Sequence, residues 1–298
     1  MKKIINYKSD IISLSLVFFT LIIILSPTTM GNELDKNLTL NKETLKQGEI
    51  LVIKTDASSP FTKITFADKT YDFRMTNETK ISLIPISYWT NPGQYTLTFI
   101  STDRNFNKSI TVSSGNFVSS YLEVDQDQEE KLEPKNEETI QRKKKDQQLI
   151  NEARSSSSSQ KLWNGDFIWP VKGQISTEFG ATRYVNGKLQ YRHSGIDIAS
   201  PTGTPVQAIN SGIVTLAHNL LMTGNTIIID HGWNLYSAYS HLSKINVAVG
   251  EKVKREQKIG EIGSTGFSTG PHLHWTIKIN SVYVNPQVIV NNENFILK

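Results

Sequence analysis

The sequence predicts an all-β chain, two β-domains joined by a polar linker, on three observations. Short runs rich in Ile, Val, Thr and Tyr recur over residues 35–115 and again from Lys161 onward, bounded by Gly, Pro, Asn and Asp turn signals. The C-terminal part has no long stretch with a 3.6-residue hydrophobic period, so no long amphipathic helix is expected there. Between the two parts, at 120–160, the composition shifts abruptly to dense charge and a five-serine tract. A chain of 298 residues has room for two domains.

At the N-terminus, "MKK" and Lys8 precede "IISLSLVFFTLIIIL", residues 11–25, a run without charge. A positive start and a short apolar run are the parts of a secretory signal, and the run is short for a membrane span, which takes about 20 apolar residues. No clean small-residue cleavage site follows. Residues 1–30 therefore read as a signal peptide or as an uncleaved N-terminal membrane anchor. On either reading the rest is exported, to the periplasm or cell envelope, inner-membrane anchored or secreted. The chain has no cysteine, which excludes thiolate zinc sites, disulfide scaffolds, a cysteine nucleophile and a lipidated N-terminal cysteine. From Lys161 onward 12 Lys and Arg stand against 8 Asp and Glu, a net +4 that suits an anionic surface or polymer.

Within 35–115, "EILVIKT", "KISLIPI", "QYTLTFIS" and "KSITVSS" are strand-like and separated by "ASSP", "TNPGQ" and "TDRN". Their number and spacing fit a β-sandwich, and "NPGQYTLTF" resembles the late strands of bacterial immunoglobulin-like modules. The region has no histidine and reads as a spacer or as a module binding the wall or a protein partner. Residues 120–160 read as a solvated linker with at most a transient helix near 137–153, because few large apolar residues are available to offset chain entropy. "DQDQEE" lacks the turn glycine of a calcium loop.

The chemistry-bearing residues lie in the second β-domain, 161–298. "HSGIDIASPTGTPV" holds His193 and Asp197, "YSAYSHLS" holds His241, and "TGPHLHW" holds His272 and His274. In a strand, residues i and i+2 leave on one face, about 7 Å apart, so His272 and His274 point at one spot. A catalytic zinc takes three protein ligands and keeps an open position. His193, Asp197 and one of the paired histidines would supply such a set, leaving the other two imidazoles for acid–base work or oxyanion stabilisation. His218 and His231 read as structural positions. Asn225 and Tyr239 read as cleft-lining, with Tyr239 on the same side as His241 by strand alternation. The glycines of "GSTGFSTG" read as turns aiming the H-x-H strand, and no dinucleotide-type glycine spacing is present.

These motifs, with "WPVKGQISTEFG", "GTPVQAINSGIVTLA", "GNTIIIDHG" and "VGEKVKREQKIGEIGSTGFSTG" around them, resemble in order and spacing the LytM/lysostaphin-type (M23) zinc peptidases over residues 167–286. The resemblance implies one zinc ion held by His193, Asp197 and His274, with His241 and His272 flanking the catalytic water. It implies an M23-type antiparallel β-sheet domain that hydrolyses peptide stems of peptidoglycan, with no nucleic-acid partner. The alternative is a non-catalytic LytM-type regulator that activates a cell-wall amidase, a class that typically loses metal ligands. The stretch "ATRYVNGKLQYR" is a loop of this chain's own length.

Overall fold

The structure, a computed structural model, describes residues 37–76 and 78–291; the signal or anchor expected at 1–30 lies outside the described residues. Among the described residues no helix is long and apolar enough to cross a membrane. The N-terminal region is a two-sheet module. One sheet has the order Thr39–Leu40, Ile50–Asp56, Thr79–Pro85, Arg74–Met75, antiparallel throughout. The other runs Thr44–Lys46, Asn105–Ser113, Gly93–Ile100, Lys63–Phe66, Lys69–Asp72, with its first pair parallel. In the hairpin of Gly93–Ile100 and Asn105–Ser113, Leu97, Phe99, Ile110 and Val112 are buried at every second position. Phe61 and Phe106 pack on Phe99, with ring centroids 5.5 and 5.7 Å away.

The strands Ile50–Asp56 and Thr79–Pro85 do not alternate; "ILVI" is buried at four successive residues. Such a run belongs to a strand covered on both faces. Leu51 and Ile53 leave on the face opposite Ile50 and Val52 by the strand period. Ile50, Val52, Ile81 and Leu83 join the hydrophobic cluster of the C-terminal domain, beside Trp163, Phe179, Ile277 and Val284. From Asn37 onward the chain forms one compact unit.

The C-terminal domain is built on a ten-stranded sheet whose pairings are all antiparallel. Its central path runs Gln174–Thr177, Ile196–Ala199, His272–Ile279, Leu235–Ile245, Gly224–Asp230, Gly212–Leu220. Trp275 and Tyr239, a cross-strand pair, are fully buried beneath it. A separate three-stranded sheet pairs Ser119–Leu122 in parallel with Thr182–Val185, which forms a hairpin with Lys188–Arg192.

The segment expected to be a solvated linker is ordered and docked. It carries the helices Gln126–Leu132 and Glu137–Glu152, capped by Asp125 on Gln128 N–H and by Asn136 on Thr139 N–H. The second helix lies on the sheet: Leu149 and Ile150 pack against Leu216, Leu220, Ile228 and Tyr236. Buried Asp146 accepts the Leu221 N–H at 2.6 Å. The serine tract is tied down as well, with Ser157 Oγ and Ser158 N–H donating to Asp230 at 2.6 and 2.8 Å. Composition missed this because the docking is mostly polar and uses few large side chains.

Replacing Asp146 with Ala should lower the unfolding free energy by about 1–3 kcal/mol, the cost of leaving a buried amide unpaired. Urea denaturation of the two proteins measures it; an unchanged midpoint would show the helix undocked in solution.

Candidate metal centre

Two neighbouring strands bring the first pair of candidate ligands together. Asp197 stands opposite His274, and Ala199 opposite His272, in the pairing of Ile196–Ala199 with His272–Ile279. His193 enters from the turn ahead of the first strand. Gly195 in that turn has no alternative, since a Cβ there would sit 2.2 Å from the Trp275 carbonyl oxygen. As the i, i+2 spacing predicts, His272 and His274 share a face. His272 Nε2 lies 3.8 Å and His274 Nδ1 2.8 Å from Asp197 Oδ1.

His193 Nε2, Asp197 Oδ1 and His274 Nδ1 form a triangle with sides of 2.9, 2.8 and 2.9 Å. His193 Nδ1 lies 3.0 Å from the Glu178 carbonyl, which only accepts, so the ring proton sits there and Nε2 keeps its lone pair. Three basic atoms thus converge, and one proton on His274 Nδ1 can bridge only one of its two neighbours. Lone pairs of nitrogen and carboxylate oxygen packed this closely fit a divalent cation of the zinc type. His193 and Asp197 are 2% and 4% exposed. Burial pushes the Asp197 carboxyl up, but hydrogen bonds and charge from His193 and His274 together hold it well below the usual carboxylate range. Its second oxygen, Oδ2, accepts from Arg183 Nη2 at 3.1 Å.

His241 and His272 complete a ring of four imidazoles, with centroids 4.7 Å apart from each other and His241 6.0 Å from His274. Each has its Nδ1–H on a backbone carbonyl: Thr265 for His241 and Gly270 for His272, both at 2.8 Å. Both Nε2 atoms are therefore free acceptors. Burial, with His272 and His274 close by, pushes His241 down to about 3. Burial likewise pushes His274 down to about 4.

His241 reaches the centre through a bulge. Asn225 pairs with Leu242 and Ile227 with Tyr239, so one extra residue is inserted, and His241 adopts φ +63°. The bulge breaks the alternation on which Tyr239 was expected beside His241. Tyr239 is instead fully buried in the core, its hydroxyl accepting the Ile209 N–H at 3.1 Å. Asn225 serves the bulge rather than a cleft, its amide donating to the Leu242 carbonyl at 3.0 Å. His218 is an exposed strand residue. His231 is a satisfied core histidine, bonded to the Ser211 carbonyl at 2.8 Å and to Ser237 Oγ at 2.7 Å. Sequence reading overlooked Arg183 and the carbonyls of Glu178, Thr265 and Gly270. Carbonyls carry no side-chain signal, and Arg183 lay in a stretch read as a loop of this chain's own length.

Residues 191–286 match the model of peptidase family M23. The chain is 40% identical over 131 residues to the peptidoglycan DD-endopeptidase ShyA of Vibrio cholerae, covering 41% of this chain and 30% of that protein. It is also 40% identical over 133 residues to an uncharacterized metalloprotease of Buchnera aphidicola, covering 44% of this chain and 35% of that protein. The matched part thus spans about a third of these curated relatives. Among solved structures, a Pseudomonas aeruginosa protein assigned to peptidase M23 superposes with a TM-score of 0.63 at 28% identity, covering 84% of this chain and 96% of that one.

Burial holds His231 down to about 4, against an ordinary value of 6.5. Between those values the unfolded chain binds a proton that the folded chain does not, so stability is lost as pH falls from about 6.5 to 4. The slope is at most about 1.4 kcal/mol per pH unit for this one residue. Metal-free His231→Gln protein should show a correspondingly shallower acid loss in denaturant titrations; an unchanged slope would show that His231 is charged or exposed in the folded state.

Proposed function

We propose that this chain, whose residues 191–286 match the model of peptidase family M23, is a zinc metallo-endopeptidase that hydrolyses peptide cross-links of bacterial peptidoglycan. The observation that carries the reading is the convergence of His193 Nε2, Asp197 Oδ1 and His274 Nδ1 beside two imidazoles with free Nε2 atoms. The peptidoglycan DD-endopeptidase name of the Vibrio cholerae relative supports the substrate class.

His193, Asp197 and His274 would hold the ion. Zinc there would supply a Lewis acid for the scissile carbonyl and lower the pKa of water toward neutrality. His241 and His272 move the protons. Both are acceptors at Nε2, their ring protons being fixed on the carbonyls of Thr265 and Gly270. One takes the proton of the attacking water and returns it to the leaving amine. The other, taking a proton from solvent at Nε2, donates it in a hydrogen bond to the charged oxygen of the tetrahedral intermediate.

The chain acts in the cell envelope, exported by its N-terminal apolar segment as a signal peptide or anchor. A wall or protein partner of the N-terminal module would meet its five-stranded sheet, since the other sheet is covered by the C-terminal domain.

Zinc-loaded protein incubated with purified sacculi should convert cross-linked muropeptides to monomers, with product masses identifying the bond cut. Asp197→Ala or chelation should abolish this, and intact cross-links with fully loaded wild-type protein would refute the reading. His241→Ala and His272→Ala should each keep the zinc but lose about 10²–10⁴-fold in kcat, measured on the same muropeptides.

A further inference from the structure

We propose that Arg183 is a positioning residue that confines Asp197 to single-oxygen ligation of the metal; this rests on the zinc-peptidase reading above. The two carboxylate oxygens have different surroundings. Oδ1 faces His193 Nε2 and His274 Nδ1 at 2.9 and 2.8 Å. Oδ2 turns the other way and accepts from Arg183 Nη2 at 3.1 Å. The same nitrogen reaches Thr177 Oγ1 at 3.2 Å, and Thr177 is the strand partner of Asp197 on the side away from His274. The guanidinium is therefore fixed behind the carboxylate, opposite the cation position.

Both side chains are nearly sealed from water, 9% and 6% exposed. A buried guanidinium is costly unless paired, and here Arg183 Nε has no hydrogen-bond partner among the described residues. The arginine is thus placed for the carboxylate at the expense of one of its own donors.

The backbone around Arg183 is braced on both sides. Across the hairpin it stands opposite Tyr191, and on its other edge it pairs in parallel with Ser120. Asn186 at the hairpin tip accepts the Val124 N–H at 2.9 Å, and Lys188 pairs with Glu129 of the helix Gln126–Leu132 at 3.3 Å. The stretch "ATRYVNGKLQYR" is a platform carrying one buried cation to the back of a ligand.

A carboxylate with both oxygens free can grip a cation with both. With Oδ2 held by Arg183, Asp197 offers one oxygen, and the position saved stays open for water or a substrate carbonyl. That open position separates a catalytic zinc site from a closed structural one, and outer partners of this kind set the orientation of ligands.

Cobalt(II) in place of zinc reads the ligand count directly, because four-coordinate cobalt absorbs visible light several-fold more strongly than five-coordinate cobalt. Wild-type protein should give the strong spectrum. Arg183→Met should release Oδ2, raise the coordination number and weaken the absorption several-fold, while Arg183→Lys, which keeps a donor and a charge, should restore most of it. An unchanged spectrum in folded Arg183→Met protein overturns the inference and leaves the peptidase reading standing. Should Arg183→Met not fold, X-ray absorption of zinc-loaded wild-type protein decides: a two-oxygen aspartate contact overturns the proposal, a one-oxygen contact supports it. Wild-type protein that takes up neither metal overturns this inference together with the metal reading.

Discussion

The site depends on one strand register, the antiparallel pairing that sets Asp197 opposite His274. Side chains alternate along a strand, so a slip of a single residue would no longer set Asp197 opposite His274. The register is held from below. Ile196, Ile198, Leu273, Trp275 and Ile277, on the opposite face of the same two strands from Asp197, His272 and His274, are fully buried. Gly195 lets the chain pass close to the Trp275 carbonyl. The apolar face thereby fixes the polar one: burying Trp275 aims His274, and burying Ile196 and Ile198 aims Asp197.

His241 shows where regular strand geometry is insufficient. It stands in the left-handed region at φ +63°, which costs a non-glycine residue roughly 1–3 kcal/mol. Local bonds offset that cost. The His241 N–H donates to Thr223, its ring to Thr265, and Thr265 Oγ1 returns a bond to the Leu242 carbonyl, all at 2.8 Å. Without the bulge, Tyr239 and His241 would share a face, and one core side chain would have to point into the cleft. The extra residue lets Tyr239 fill the core while its neighbour two positions on reaches the imidazole cluster.

What could be read from the sequence follows from how much of it is local. The strand class, the shared face of His272 and His274 and the grouping with His193 and Asp197 rest on side-chain spacing and on motif order. The bulge leaves no such mark, because an αL histidine has the same letters as an extended one. Nor do the ring-orienting carbonyls, which any residue supplies. The docked helix Glu137–Glu152 was hidden by its composition: Asp146, a charge that ordinarily argues for solvent, is buried on the Leu221 amide. The runs "ILVI" and "ISLIPI" read only as strand-like, and their two-sided burial emerges from the structure.

That two-sided burial makes the N-terminal module part of the site's foundation. The tautomer of His193 is set by the carbonyl of Glu178, and the next residue, Phe179, is anchored in the junction between the two regions. Phe179 packs on Tyr88 and Phe117, with ring centroids 5.4 and 6.1 Å away, and against Gly48, where a Cβ would come within 2.6 Å of its ring. Gly48 itself accepts the Asn285 N–H at 2.9 Å, and Asn280 donates to Leu83 at 3.1 Å. A continuous path of packed rings and backbone bonds therefore runs from the first sheet, through Phe179, to the carbonyl that leaves His193 Nε2 its lone pair. The candidate metal-binding residues lie in the second half of the chain, but the surface that orients His193 is completed by the first.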